Sequence, residues 1–184
     1  MNVVELVDAE HAPLLARPYY EDGDPGPIIA ALAQVPELLE VAVPFISAVL
    51  GASSIDIRTK ELVILRTSVR LECRYCVQSH TPVALDNGVT RAEVDALRRS
   101  GPVVDGLADL PSTVLVEWVD AVAGATGPVD PAMVTAMRSH FQEHEIVELT
   151  LLVGTTMMLN RFCTALELPT APATLERLAA EGFA

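Results

Sequence analysis

Three side chains able to do chemistry stand close together in this chain: Cys73, Cys76 three residues later, and His80 four residues after that. On a helix this spacing puts all three on one face, with Cys76 and His80 one turn apart. An imidazole so placed can take or share the thiol proton, and the positive potential of a helix's first turn also favours thiolate. The Cys76 thiol is therefore expected to be reactive. A thiolate that attacks a peroxide becomes a sulfenic acid, which condenses with a second thiol in reach to form a disulfide. Cys73 is in reach, so the pair can cycle.

His80 needs a group that fixes its tautomer, and the nearest candidate on the preceding helix is Glu61. Glu61 lies about 16 Å of helical rise before the intervening turn and His80 about 10 Å after it. Their pairing thus calls for staggered helices or a bridging water. Two other readings of the same residues stand beside redox chemistry. One is burial of two structural thiols. The other is a zinc site of Cys73, Cys76 and His80, with Glu61 or water as fourth ligand. Structural zinc sites usually draw ligand pairs from two elements, and only one such pair exists here.

The elements that must position these residues are helices. Gly and Pro cluster at 21–27, 100–111 and 124–131, and between them apolar residues recur at helical spacing with no convincing strand. Pro27 opens a segment with Ile28, Ile29, Leu32 and Val35, and a second runs from Pro36 to Leu50. Asp56 caps a helix to about Leu71 with Leu62, Leu65 and Val69 inward. A second helix carries the cysteines and stops at Asn87-Gly88, completing a helical hairpin. Thr90 and Glu93 have capping-box spacing and start a short helix ending near Ser100-Gly101. Asp109 with Pro111, and Asp130 with Pro131, start two more. Residues 143–167 are apolar nearly all round, as expected of a central or interface helix, and a short helix follows Pro172. Glu61-Leu62-Val63-Ile64-Leu65 is echoed by Glu145-Ile146-Val147-Glu148-Leu149, each opening a helix that runs toward a cysteine.

With 184 residues the chain suits one domain that buries roughly 70% of its unfolded surface. The expectation is an all-α single-domain bundle of about seven to nine helices over 1–184, with a core motif region at 56–90 and residues 1–55 in the same unit. Hydrophobic residues make up 51% and only four Phe, three Tyr and one Trp occur, so the core is aliphatic. The mean hydropathy of +0.36 points to apolar surface covered by another subunit, hence a homo-oligomer. Twelve basic against 25 acidic residues give a net charge of −13, which argues against nucleic acid and anionic membrane as partners. No membrane span is expected, because prolines, charges and the Gly154 to Asn160 stretch interrupt the apolar runs. The acidic start lacks the features of a secretory signal, and three cysteines do not make a disulfide framework, so a cytoplasmic location is expected.

The pattern Glu61, Cys73-x-x-Cys76, His80 resembles the core motif of alkylhydroperoxidase D-like proteins in the carboxymuconolactone decarboxylase superfamily. Glu61 to Arg66, Val83-Ala84 and Asn87-Gly88-Val89-Thr90 agree with it, and the likeness extends more weakly to Glu145 to Leu149 and Leu159 to Phe162. The resemblance implies an all-helical fold assembled as trimers or hexamers, and an antioxidant peroxidase relay. In that relay Cys76 attacks peroxide, Cys73 resolves, His80 shuttles the proton and Glu61 supports His80. It implies a small hydroperoxide as substrate, a disulfide-reducing donor of unknown identity, and neither cofactor nor metal. Some members carry a histidine between the cysteines where this chain has Tyr75. The lactone decarboxylase branch generally lacks the cysteine pair. The alternatives are a redox-sensing or partner-binding oligomer without turnover, and the zinc-bound protein.

Outside this motif the expectations are structural. Cys163, alone in an apolar helix, reads as a small hydrophobe. His11, His140 and His144 read as solvated or capping residues. Arg66 and Arg70 read as salt-bridge formers, the methionines as packing, and Trp118 as core or interface.

Overall fold

The computed structural model describes residues 2–103 and 105–183. Among them it holds nine α-helices, one 3-10 helix and no strand. After the 3-10 helix Arg17–Tyr20, which hydrophobic spacing did not reveal, come α1 (Pro27–Leu32), α2 (Pro36–Leu50), α3 (Ile57–Arg70), α4 (Arg74–Asp86), α5 (Arg91–Leu97), α6 (Leu110–Gly124), α7 (Pro131–His140), α8 (Glu143–Ala165) and α9 (Pro172–Ala180). The caps fall where side-chain chemistry puts them. Asp56 accepts from the Thr59 N–H, Asp109 from Ser112 and Asp130 from Ala132, while Thr90 and Glu93 close a full capping box. The α5 helix ends at Leu97, short of Ser100-Gly101, because Arg66 takes the carbonyls that follow it.

That arginine explains why α3 is the centre of the fold. From Lys60 to Ser68 every residue of α3 is buried, and the helix packs against α4, α6 and α8. Its charged residues carry their partners inside. Arg66 donates from Nε and Nη2 to the two oxygens of Asp120, both at 2.6 Å, and to the carbonyls of Leu97, Arg99 and Gly101 at 3.2, 2.7 and 2.7 Å. Lys60 donates to the Val49 carbonyl at 2.9 Å and pairs with Glu148 at 2.7 Å. Buried charges are tolerated only when so satisfied.

Val63 and Ile64 face a core built with Val114, Leu115, Val119, Leu149, Leu152 and Val153. Leu62 and Leu65 face another with Ala84, Val94, Leu97 and Leu178. Trp118 lies in the first core and donates from Nε1 to Thr150 Oγ1 at 3.2 Å. Val69, expected inward, is only partly buried. The α8 helix is long and apolar enough to cross a membrane, yet Leu149, Leu152, Val153 and Leu159 are core residues of this fold. Its other side leaves Val147, Leu151 and Met158 exposed, beside exposed Leu38, Val41 and Phe45 on the contacting helix α2.

Candidate functional site

Two tight helix endings set the site. At the end of α3, the Glu72 N–H bonds the Val69 carbonyl at 3.1 Å and the Cys73 N–H bonds the Ser68 carbonyl at 2.9 Å, with Glu72 in the left-handed region at φ 54°. This paired closure reverses the chain within two residues and makes Cys73 at once the last bonded residue of α3 and the N-cap of α4. The end of α8 repeats it. Glu167 has φ 53°, and the Leu168 N–H bonds the Cys163 carbonyl at 3.0 Å. The echo between the two segments thus extends to their terminations, while Glu145 itself serves the capping box of α8 and takes no place in the site.

Because the turn between α3 and α4 is so short, the two helices pack along their lengths, and Glu61 meets His80 directly. The carboxylate oxygens lie 3.1 and 3.0 Å from His80 Nδ1. No stagger-filling water is needed. Glu61 is 4% exposed, so its contact with His80 is shielded from solvent and stronger than a surface pair. A carboxylate accepts only, so it holds the proton on Nδ1 and leaves Nε2 free to exchange one.

Cys73 and Cys76 are both buried, 0% and 4% exposed. They share one packed cluster with Ala31, Leu168 and the third cysteine, Cys163. Reading Cys163 as an isolated hydrophobe missed this contact. It is as buried as the others, and it packs directly with Cys73 and Cys76. No short-range pattern carries that signal, since 87 residues separate Cys163 from Cys76 in a chain that must fold before they meet.

The three thiols also shift one another's acidity. The polar neighbours Cys163 and Cys76 lower the Cys73 thiol to about 2, against the opposing effect of burial. Cys76 gains from a Cys163 hydrogen bond, but donation to Cys73, burial and the adjacent charge outweigh it and push the thiol up to about 12. Donation to Cys73 and Cys76 raises Cys163 further. A negative charge in the cluster is thus favoured on Cys73, at the N-terminus of α4, where the helix dipole also favours it. Burial, together with the nearby thiols, raises Tyr75 to about 12, so it stays a neutral phenol.

A cavity of about 300 Å³ opens beside Cys73, lined by Glu72, Arg74, Val77, Gln78, Arg98 and Phe183. A larger one of about 640 Å³ lies between the N-terminal segment and the α8 to α9 link and includes none of the four candidate residues. Among the described residues no three His, Cys, Asp or Glu side chains are arranged to hold a metal ion. His11, His140 and His144 are exposed, His11 pairing with Asp8 at 2.8 Å.

An all-helical fold that joins Glu, His and a CxxC pair across one hairpin defines a class. Residues 36–113 match the model of the carboxymuconolactone decarboxylase family, and the resemblance drawn from Glu61, the cysteine pair and His80 is borne out. The fold is shared along nearly the whole chain with solved structures. A peroxidase-related protein from Silicibacter sp. TM1040 is 19% identical, with a TM-score of 0.82 over 94% of this chain and 93% of that one. An alkylhydroperoxidase core protein from Ralstonia eutropha JMP134 is 14% identical, with a TM-score of 0.81 over 94% of both chains. The debrominase Bmp8 is 18% identical, with a TM-score of 0.76 over 96% of both, and a cysteine-to-alanine variant of it has been solved with 2,3,4-tribromopyrrole. At these identities the likeness is one of fold. No curated protein sequence matches the chain.

Proposed function

We propose that this protein is a thiol-dependent hydroperoxide reductase that cycles through a Cys73–Cys76 disulfide. The observation that carries the reading is the shielded Glu61 to His80 contact on the same hairpin as two thiols that share one charge. At rest Cys76 donates its proton toward Cys73. Transfer of that proton from Cys76 to Cys73 moves the thiolate to Cys76, one helical turn from His80.

The Cys76 thiolate attacks the terminal oxygen of the hydroperoxide, the O–O bond breaks, and the departing alkoxide takes a proton from His80 to leave as an alcohol. Cys76 is then a sulfenic acid. The Cys73 sulfur attacks it, the S–O bond breaks, and the Cys73 proton, passed through His80, leaves with the hydroxyl as water. The thiolate, the thiol, one hydroperoxide and one proton drawn from solvent through His80 Nε2 thus become a disulfide, an alcohol and water. A dithiol donor must return two electrons for the next turnover.

The same reading takes the protein to be cytoplasmic and self-associated as a trimer or hexamer, supported by the exposed apolar side chains of α2 and α8. It calls for no cofactor or metal, and its net charge of −13 disfavours nucleic acid and anionic membrane as partners.

The test treats reduced protein with one equivalent of organic hydroperoxide, then alkylates and maps peptides, for wild type and Cys76→Ser. A loss of about two daltons on the Cys73 and Cys76 peptide, absent from the variant, supports the relay. Continued hydroperoxide consumption with excess dithiol separates an enzyme from a redox switch that oxidises once. Thiols that stay free, or turnover of a bromopyrrole in place of hydroperoxide, would overturn the peroxidase assignment.

A further inference from the structure

The relay uses two of three thiols that touch. The last turns of α8 bring Cys163 against the cysteine pair. Cys163 packs with Cys73 and Cys76 in one buried cluster, and Asn160 and Thr164, three residues before and one after it, flank it on the same helix. Asn160 is held in turn by Ser68 on α3, Nδ2 to Oγ at 3.0 Å. The double closure that ends α8 fixes Cys163 itself, whose carbonyl accepts from Leu168 while Leu168 packs in the same cluster. A thiol so held against two others is positioned for chemistry.

We propose that Cys163 is a second resolving thiol, which competes with Cys73 for the sulfenic acid on Cys76. The inference rests on the hydroperoxide reading above. The Cys163 sulfur attacks the Cys76 sulfur, the S–O bond breaks, and the hydroxyl leaves with the Cys163 proton as water, forming a Cys76–Cys163 disulfide. Cys73 then attacks the Cys76 sulfur of that bond and releases the Cys163 thiol, so the oxidising equivalent arrives at the Cys73–Cys76 pair. The bond to Cys163 ties α4 to α8, whereas the Cys73–Cys76 bond is local to one helix end. Its consequence is protection. A sulfenic acid with two neighbouring thiols is captured before a second peroxide drives it to the irreversible sulfinic acid.

The experiment uses Cys73→Ser and the double variant Cys73→Ser with Cys163→Ala, each treated with one equivalent of cumene hydroperoxide and mapped without reduction, with wild type as control. Cys73→Ser is expected to give a cross-linked peptide joining Cys76 to Cys163, and the double variant to give sulfenic and sulfinic Cys76. Cys76 oxidised in Cys73→Ser while Cys163 alkylates fully after denaturation would overturn the proposal and leave the hydroperoxide reading intact. Cys76 left reduced in wild type would overturn that reading instead. A parallel treatment with diamide, which oxidises thiol pairs directly, then decides the pairing on its own: a Cys76–Cys163 link supports it, and its absence overturns it. Thermal unfolding of Cys163→Ala, which retains the redox pair, checks that the fold persists.

Discussion

Replacing Glu61 with Gln tests the proton relay most directly. The substitution keeps the shape and removes the charge that holds the His80 Nδ1 proton at 3.0 to 3.1 Å. A hydrogen bond to a charged partner is worth about 1.5–3 kcal/mol, and each 1.36 kcal/mol is tenfold in rate, so kcat/KM for hydroperoxide should fall roughly 10 to 150-fold. Because Glu61 acts through His80, the loss should be no greater in the double variant with His80→Gln than in His80→Gln alone. The assay is initial-rate hydroperoxide consumption with saturating dithiol, across pH 5 to 9, with circular dichroism to confirm folding. A structural role for Glu61 would lower Tm and leave the pH profile unmoved. Wild-type rates in Glu61→Gln, or losses that multiply in the double variant, would refute the relay.

Three further outcomes are expected. Thiolate absorbance near 240 nm should report about one equivalent in native protein at neutral pH, lost in Cys73→Ser and on unfolding, since the thiol at about 2 in the fold returns to 9.0 in the open chain. Between those values the unfolded state binds the extra proton, so this group makes chemical denaturation harder as pH rises toward 9, and its contribution is lost as pH falls through about 2. Above 9 the raised Cys76 and Cys163 reverse the trend, and a monotonic decline in stability from pH 5 to 8 in wild type, absent from Cys73→Ser, would count against the shared charge. Arg66→Met should cost about 3–5 kcal/mol in urea unfolding, because Asp120 and three carbonyls lose their donor, and a cost under 1 kcal/mol would show the network to be dispensable. Leu151→Glu, on the exposed side of α8, should reduce the mass found by light scattering to that of the monomer while the helical signal is kept. An unchanged mass would place the subunit contact elsewhere.

How legible the protein was varies by element. The helix starts at Asp56, Thr90, Asp109 and Asp130 could be read from the chain because a cap is a bond between residues three apart or fewer. The stop at Asn87-Gly88 was legible for the same reason, with Gly88 at φ 86° where a side chain is disfavoured. The burial of α3 was not. Glu61 read as a partner for His80 and Arg66 as a salt-bridge former, and only their partners on α4, α5, α6 and the following loop make them interior residues. Neither was the shortened α5, which ends where a distant arginine claims its carbonyls.

The site divides in the same way. Cys73, Cys76 and His80 lie within one short stretch, so their chemistry was open to reading from residue types and helical spacing. Glu61 could be named as a partner but not joined to His80, because axial rise alone cannot say how two helices cross. Cys163 and the order of acidity among the thiols were beyond reach. A sulfur's proton affinity depends on which donors surround it, and here these come from a helix folded back across 87 residues. The chain by itself determines which groups can react and where its helices begin. Only the packing of α8 against the α3 to α4 hairpin decides which of those groups meet and where the charge resides, because hydrogen bonding and desolvation act over a few ångströms of space and take no account of distance along the chain.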